Sequence, residues 1–252
     1  MLAIMKIVII GGTGLIGSNV TKKLRQLGHT VIAGSPSTGI NAFTGEGLSD
    51  ALENADVVVD LSNSPSFEDG PAMQFFQTAG RNILSSEVNA GVKHHVTLSI
   101  VGIHLMESMG YMRAKKIQED LVKSSGVPYT IVRSTQFQEF VPTIAAGATH
   151  GDEIKVSKLD FQPIAAEDVA LFIARFSISE PNNETVEIAG PVLGPMSMFV
   201  NDFITETGSG KVVVANDGKE YFGTAIPQSA LVPEGNAYLG EIRFKEFLGA
   251  RA

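Results

Sequence analysis

Ser99, Tyr111 and Lys115 have the side-chain types and the spacing that proton transfer requires. Tyr111 and Lys115 are four residues apart, so on a helix their side chains share one face about one turn apart. A nearby ammonium group favours the phenolate, and we expect Lys115 to lower the pKa of Tyr111 toward neutrality. Such a tyrosine gives a proton to a carbonyl oxygen, or takes one from an alcohol, while hydride moves to or from a nicotinamide. We expect the Ser99 hydroxyl to fix the substrate oxygen and Lys115 also to hold the nicotinamide ribose.

The order of the motifs along the chain strengthens this interpretation. A tyrosine and a lysine at this spacing occur by chance on many amphipathic helices, so the pair alone is a weak signal. Here a glycine-rich turn opens the chain, Ser99 ends a later strand, and Tyr111 opens the helix that follows. The carboxyl ends of strands in an open α/β sheet line the ligand crevice, which is where these residues are predicted to lie.

The glycine-rich turn reads KIVIIGGTGLIG over residues 6–17. Gly11 permits a tight turn, Gly14 lets the backbone approach a pyrophosphate closely, and Gly17 lets the following helix pack on the strand. Free N–H groups and the dipole at the helix start favour a phosphate there. An ordinary βα turn can carry the same glycines, but the strand before and the helix after favour a dinucleotide site. The predicted cofactor contacts in this turn are Gly11, Thr13, Gly14, Leu15, Ile16 and Gly17.

Alternating strand and helix patterns predict the elements that position these residues. Strands are expected at residues 6–10, 30–33, 56–61, 95–99 and 129–133, and helices at 15–27, 48–55, 72–90 and 111–124. Residues 34–45 are too rich in Gly, Ser and Pro for a helix, so one crossover is expected to be a loop. We predict an α/β fold with a Rossmann-type doubly wound parallel sheet. Residues 1–252 are expected to form a single NAD(P)-binding domain in which about 134–252 contribute a smaller substrate-side cap.

Composition excludes several classes of function. The 252 residues include no cysteine, so a disulfide framework and a thiolate metal site are excluded. A formal charge of −8 without a run of Lys or Arg argues against nucleic-acid binding. We interpret His94-His95 as the start of a strand and not as a metal site, because no other residues at metal-ligand spacing accompany the pair. No apolar run is long enough to span a bilayer, and Met1–Met5 lacks the basic residues of a secretory signal. We therefore expect a cytoplasmic protein without a metal or a membrane partner.

The order of these motifs resembles the short-chain dehydrogenase/reductase superfamily, and more closely its atypical, NmrA-like NAD(P)-binding branch. The resemblance covers about Lys6 to Gly190. It rests on the glycine turn, on Ser99, Tyr111 and Lys115, and on YTIVR at 129–133, QPI at 162–164, EDVA at 167–170 and EIAGP at 187–191. It implies that Ser99, Tyr111 and Lys115 are the catalytic trio. It also implies that Asp168 is structural and bonds the backbone below the pocket.

The end of the second strand bears on the choice of dinucleotide. An NAD-specific site usually has an acid there that bonds the ribose 2′-OH, but residues 33–38 read AGSPST. The hydroxyls of Ser35, Ser37 and Thr38 can receive a 2′-phosphate, although the arginine of many NADP-binding relatives is missing. A plain turn of Pro and Ser is the alternative interpretation. The missing acid favours NADP over NAD. Leu61, Ser62 and Asn63 are expected to pass the adenine and its ribose.

The substrate side is predicted from the same family resemblance. It implies that residues 134–140 pass the nicotinamide, with the backbone of Ser134 and Thr135 at the carboxamide. Gln136, Phe137 and Phe140 are expected to line the pocket and His104 its rim, although core packing is an equal alternative for the two phenylalanines. An aromatic and methionine lining suits an apolar carbonyl or a quinone.

Three functions follow as expectations. The first is an NADP-dependent oxidoreductase that reduces a small carbonyl or quinone, or oxidises the alcohol, with the Ser-Tyr-Lys trio. The second is a non-catalytic NmrA-like redox sensor that binds a dinucleotide and regulates a partner protein. The third is an NAD(P)-dependent epimerase or dehydratase. Family resemblance allows a monomer or a homodimer.

Overall fold

A computed structural model describes residues 3–250 of the chain. The first two residues of the apolar start Met1–Met5, and the last two of the predicted domain, lie outside the described residues.

The strands and helices follow one another as the alternating pattern predicts. The strands are β1 (Lys6–Ile10), β2 (Thr30–Gly34), β3 (Val57–Asp60), β4 (His94–Ile100), β5 (Tyr129–Ser134), β6 (Thr149–His150), β7 (Glu153–Ser157), β8 (Asp160–Phe161), β9 (Glu184–Ala189), β10 (Gly194–Pro195), β11 (Val212–Asn216), β12 (Glu220–Tyr221), β13 (Thr224–Ala225) and β14 (Tyr238–Leu239). The helices are α1 (Leu15–Gln26), α2 (Leu48–Leu52), α3 (Asp69–Ala90), α4 (Gly110–Ser124), α5 (Val141–Gly147), α6 (Ala166–Ser177), α7 (Met196–Thr207) and α8 (Phe244–Gly249).

A seven-stranded sheet runs in the order β14-β9-β5-β4-β3-β1-β2. Strand β1 pairs in parallel with β2 on one side and β3 on the other, with Ile7 opposite Val31 and Val57. All side chains of Ile7–Ile10 and Val57–Asp60 are buried, which requires both faces of the sheet to be covered. The predicted Rossmann-type α/β fold is confirmed.

The second crossover, which joins β2 to β3, contains only short elements, as the sequence predicts. Between β2 and β3 the chain forms a 3₁₀ turn at Pro36–Thr38 and the five-residue helix α2. Glycines end two of the neighbouring helices in left-handed backbone conformations: Gly28 has φ +88° after α1, and Gly91 has φ +68° after α3. Glycine ends both helices here because it adopts this conformation without a steric penalty.

Two compact units divide the chain. The first comprises residues up to Ser99, Met109–Arg133 and Val169–Val186. The second comprises Ile100–Ser108, Ser134–Asp168 and the residues from Glu187 onward. It contains the three-stranded sheet β11-β7-β6, the hairpin β12-β13 and the pair β10-β8. Within residues 3–250, no helix has the length and apolarity needed to cross a bilayer, and no cluster of three or more His, Cys, Asp and Glu could hold a metal.

The adjacent histidines lie in β4 and serve its packing. His94 Nε2 lies 2.9 Å from Thr130 Oγ1 and His95 Nδ1 lies 2.7 Å from Glu87 Oε1. Both histidines are buried. The strand interpretation of this pair is confirmed.

Replacing His94 with leucine is expected to flatten the pH dependence of unfolding below neutrality. Burial lowers the pKa of His94 from 6.5 to about 4, so between these values the unfolded chain binds a proton that the folded chain does not. The stability contributed by neutral His94 is complete above pH 6.5 and falls by about 3 kcal/mol as the pH drops to about 4. Urea unfolding from neutral pH to about pH 4 measures this loss. Equal pH slopes in parent and variant would contradict it.

Candidate active site

The glycine turn packs so closely that Gly11, Gly12 and Gly17 cannot carry a side chain. Gly11 has φ +79°, and the N–H groups of Gly11 and Gly12 both donate to the Gly34 carbonyl, at 2.9 and 3.0 Å. A Cβ on Gly17 would lie 2.2 Å from the Gly11 carbonyl oxygen. A Cβ on Gly14 would meet only that same oxygen, at 3.4 Å. Packing therefore requires Gly11, Gly12 and Gly17, whereas Gly14 leaves space above the start of α1.

Helix α1 begins without a side-chain cap. Its N-cap is Gly14, in extended conformation, and the first turn carries no acid. The first N–H groups of a helix have no partner within the helix and bear partial positive charge. The start of α1 therefore has the donors and the open approach that a pyrophosphate needs. The residues present fit a dinucleotide.

The segment after β3 lies against the glycine turn. The Leu61 N–H donates to the Ile10 carbonyl at 2.9 Å, and a Cβ on Gly11 would lie 2.5 Å from the Leu61 carbonyl oxygen. The Ser62 N–H donates to Asp60 Oδ1 at 2.9 Å. The structure thus brings Leu61 and Ser62 to the glycine turn, and the predicted contact of these residues with the adenine and its ribose stays a prediction.

The hydroxyls after β2 bond within their own turn. Ser35 Oγ lies 2.8 Å from Ser37 Oγ, and Thr38 Oγ1 accepts the Ser35 N–H at 2.9 Å. Thr38 Oγ1 also lies 3.0 Å from the Ser35 carbonyl. This is the geometry of the plain Pro-Ser turn, and contact of these hydroxyls with a 2′-phosphate stays a prediction.

Tyr111 lies in the first turn of α4, with its ring between two phenylalanines. Its hydroxyl donates to Asn63 Oδ1 at 2.7 Å. The ring centroids of Phe67 and Phe76 lie 5.0 and 5.9 Å from that of Tyr111. Burial raises the pKa of Tyr111 to about 12, so its phenol is protonated at neutral pH. The predicted lowering of this pKa is wrong.

Lys115 does not lower the pKa of Tyr111, because its ammonium group turns into the fold. Lys115 is 5% exposed, and its Nζ donates to the Leu98 carbonyl at 2.7 Å and to Gln118 Oε1. The Phe76 ring centroid lies 4.9 Å from Nζ. Burial lowers the pKa of Lys115 to about 8, although the charges of Asp60 and Glu119 oppose this shift.

Ser99 is held by a buried ion pair. Its hydroxyl donates to Glu119 Oε1 at 2.6 Å, and Arg133 donates to both carboxylate oxygens, at 2.9 and 2.7 Å. Burial raises the pKa of Glu119, but the bonds from Arg133 and Ser99 outweigh it and keep that pKa below its ordinary value. The trio therefore shares one unit of the chain, but each member donates to a partner outside the trio.

Asp60, Gln118 and Glu119 are site residues that sequence reasoning missed. Gln118 accepts from Lys115 and donates its Nε2 to Asp60 Oδ2 at 2.6 Å. All three residues are buried. The available signal was spacing, since Gln118 and Glu119 lie three and four residues after Lys115 and so share its helix face.

The residues from 134 onward that are predicted at the nicotinamide and the substrate, and His104, lie in the second unit. Their side chains and backbone bond or pack against other residues of that unit. The Thr135 N–H donates to the Ile188 carbonyl at 3.0 Å, and Ser134 Oγ donates to the Thr135 carbonyl at 2.7 Å. Gln136 Oε1 accepts from the Tyr221 hydroxyl at 3.2 Å. Phe137 forms a β-bridge with Ile164, the Phe140 ring packs on Phe222, and His104 pairs with Glu234. Their contacts with nicotinamide or substrate stay predictions.

Asp168 has the structural role that the family resemblance implies. Its Oδ2 accepts the N–H groups of Glu241 and Ile242 at 3.0 and 2.9 Å. A Cβ on Gly240 would lie 2.5 Å from the same oxygen. The prediction that Asp168 bonds backbone is confirmed.

Comparison with known proteins gives a family and several relatives. The family described as NAD(P)H-binding matches residues 11–179. The photosystem II assembly factor Ycf39 of Synechocystis sp. is 26% identical over 149 residues, which are 54% of this chain and 46% of that protein. The chain thus spans about half the length of this relative. The (4-alkanoyl-5-oxo-2,5-dihydrofuran-3-yl)methyl phosphate reductase of Streptomyces griseus is 24% identical over 202 residues, or 73% of this chain and 68% of the reductase.

Among solved structures, the dTDP-4-dehydrorhamnose reductase of Bacillus anthracis in complex with NADP is similar, with a TM-score of 0.75. It is 14% identical, and the match covers 97% of both chains. At this identity the likeness shows a shared fold.

Proposed function

Because the chain belongs to the NAD(P)H-binding, NmrA-like branch of the short-chain dehydrogenase/reductase superfamily, we propose that it is an NADP-dependent oxidoreductase. It reduces a small carbonyl compound or quinone, or oxidises the corresponding alcohol. The observation that carries this proposal is the position of Tyr111, which opens α4 in the same unit as the glycine turn and whose hydroxyl bonds Asn63, a residue just beyond β3.

Tyr111 acts as the proton donor in this proposal. The dinucleotide, when bound, supplies the hydride. The Tyr111 O–H bond breaks and its proton joins the carbonyl oxygen, which leaves a phenolate on Tyr111. Ser99, Tyr111 and Lys115 are the proposed catalytic residues, and Lys115 is proposed to hold the nicotinamide ribose. The bonds of Ser99 to Glu119, and of Lys115 to Gln118, make these two roles depend on rearrangement of buried contacts.

The substrate side of the proposal follows the sequence prediction. Residues 134–252 are proposed to contribute the substrate-binding cap, with Ser134 and Thr135 at the nicotinamide. Gln136, Phe137, Phe140 and His104 are proposed to contact the substrate. Cytoplasmic localisation and a monomeric or homodimeric state stay predictions from the sequence.

NADPH is expected to bind severalfold more tightly than NADH. Residues 33–38 present no carboxylate that would repel a 2′-phosphate. The preference rests on this missing acid, because the Ser35 and Thr38 hydroxyls already bond within the turn. Fluorescence titration of the protein with each reduced cofactor measures the two Kd values. A clear preference for NADH would contradict the assignment.

Replacing Gly14 with alanine is expected to lower NADPH affinity at least about tenfold, or 1.4 kcal/mol, while the Tm stays close to that of the parent. The added methyl meets one protein atom at 3.4 Å but enters the space above the start of α1. Gly70→Ala is the matched control, because a Cβ there meets nothing within 4 Å. Unchanged NADPH affinity in Gly14→Ala would argue against a pyrophosphate at this turn.

NADPH oxidation across a panel of quinones, aldehydes and ketones tests the function. Turnover by the parent protein supports the reductase. NADPH binding without turnover favours the second candidate, a non-catalytic dinucleotide-binding sensor. One observation favours the sensor specifically: Ser99 and Lys115 donate to partners inside the fold. An epimerase or dehydratase would convert its substrate without net NADPH consumption.

A further inference from the structure

Asn63 is the residue that bonds the reactive hydroxyl. It lies just beyond β3, and its Oδ1 accepts the Tyr111 hydroxyl at 2.7 Å. Asn63 is exposed at the surface of the first unit. The sequence predicts a cofactor contact for Asn63, and that prediction does not account for a bond to the phenol.

Ser99 does not make this bond, because the single hydroxyl hydrogen of Tyr111 goes to Asn63 Oδ1. Ser99 donates its own hydrogen to Glu119 at 2.6 Å. Arg133 fixes the accepting carboxylate with two further bonds. Releasing Ser99 would leave one buried acceptor of this ion pair short of a donor, which is costly.

Two phenylalanine rings pack on the ring of Tyr111. Phe76 is 1% exposed and its ring meets that of Tyr111 edge to face, at 73°. Phe67, which lies in the segment after β3 like Asn63, also packs on the Tyr111 ring, with the two centroids 5.0 Å apart. Since the ring is held, an acceptor for the O–H bond decides where the single phenolic proton points.

We propose that Asn63 is the positioning residue of Tyr111, in place of Ser99. It holds the phenolic proton in one direction until a carbonyl oxygen displaces the amide as acceptor. The Tyr111 O–H bond then breaks and the alcohol O–H bond forms. A bound dinucleotide would supply the hydride, a hydrogen with two electrons, to the carbonyl carbon. The catalytic part of this proposal rests on the proposed reductase function.

Kinetics of four proteins test the catalytic part: Asn63→Ala, Tyr111→Phe, the double variant, and Ser66→Ala. Asn63→Ala is expected to lower kcat about tenfold, the worth of one hydrogen bond, with the Kd for NADPH within about twofold of the parent. The Asn63 substitution should cost nothing more in the Tyr111→Phe background. Ser66→Ala is the control for a general disturbance of the segment after β3. It removes a hydrogen bond of that segment, from the Glu68 N–H to Ser66 Oγ, which does not involve Tyr111. Equal losses in both backgrounds, or a loss confined to the Kd, would overturn the inference.

NMR of protein labelled with ¹³C at tyrosine Cζ tests the bond without any substrate. The chain has four tyrosines, and Tyr111→Phe assigns the signal of Tyr111. Asn63→Ala is expected to move that signal and to leave the other three, whereas Ser66→Ala should move none. If the parent protein shows no turnover, the reductase proposal fails. The ¹³C signal of Tyr111 still tests whether its hydroxyl bonds Asn63. An unmoved Tyr111 signal overturns the inference.

Discussion

The Tyr111→Phe protein is expected to reduce its carbonyl substrate about 10²–10⁴-fold more slowly than the parent, the range for loss of a general acid. The phenol holds its proton at neutral pH, and burial raises its pKa further, to about 12. Phenylalanine keeps the ring between Phe67 and Phe76 and removes the proton. The loss should therefore appear in kcat, with the Kd for NADPH little changed.

Steady-state kinetics and NADPH titration of the two proteins check this expectation. Tyr238→Phe is the matched control, because Tyr238 lies at an exposed site in the second unit and is not part of the proposed machinery. Full activity in Tyr111→Phe would remove Tyr111 from the mechanism. A large loss of NADPH affinity would make it a cofactor ligand instead.

Replacing Arg133 with methionine is expected to lower the free energy of unfolding by about 3–5 kcal/mol, the cost of leaving a buried charge without its partner. The Glu119 side chain is 2% exposed and that of Arg133 is 17% exposed. Arg133 supplies two of the hydrogen bonds that keep the Glu119 carboxylate ionised. Urea unfolding measures the change.

Lys123→Met provides the matched control on the same carboxylate. Lys123 is 39% exposed and lies 3.4 Å from Glu119 Oε2, so its removal should cost less than about 1 kcal/mol. Adding Glu119→Gln to Arg133→Met should recover part of the loss, because a neutral amide costs less to bury. Equal effects of Arg133→Met and Lys123→Met would show that burial of the pair is unimportant.

Sequence reasoning located the chemistry-bearing residues but paired them wrongly. It placed Tyr111 and Lys115 on one helix face and Ser99 at the end of a strand, and all three lie where predicted. It then expected Lys115 to act on Tyr111 and Ser99 to be free for the substrate oxygen. Tyr111, Lys115 and Ser99 instead donate to Asn63, Gln118 and Glu119, respectively. The sequence analysis assigned no role to Gln118 or Glu119.

Local patterns by themselves determined the parallel sheet, the glycine turn and the short second crossover. Strand and helix periodicity repeat within a few residues. The positive φ of Gly11 belongs to a tight turn, and Gly17 is required by the Gly11 carbonyl six residues earlier. Such features depend on neighbours that the sequence itself displays.

Tertiary structure alone decided the hydrogen-bond partners and the protonation of the site. Tyr111 and Asn63 are 48 residues apart, Ser99 and Glu119 are 20 apart, and Arg133 and Glu119 are 14 apart. These pairs form because separate strands and helices are packed together, and that packing also removes water from Tyr111 and Lys115. Since desolvation opposes charge, the phenol stays protonated and the ammonium pKa falls, which the spacing of the two residues does not reveal.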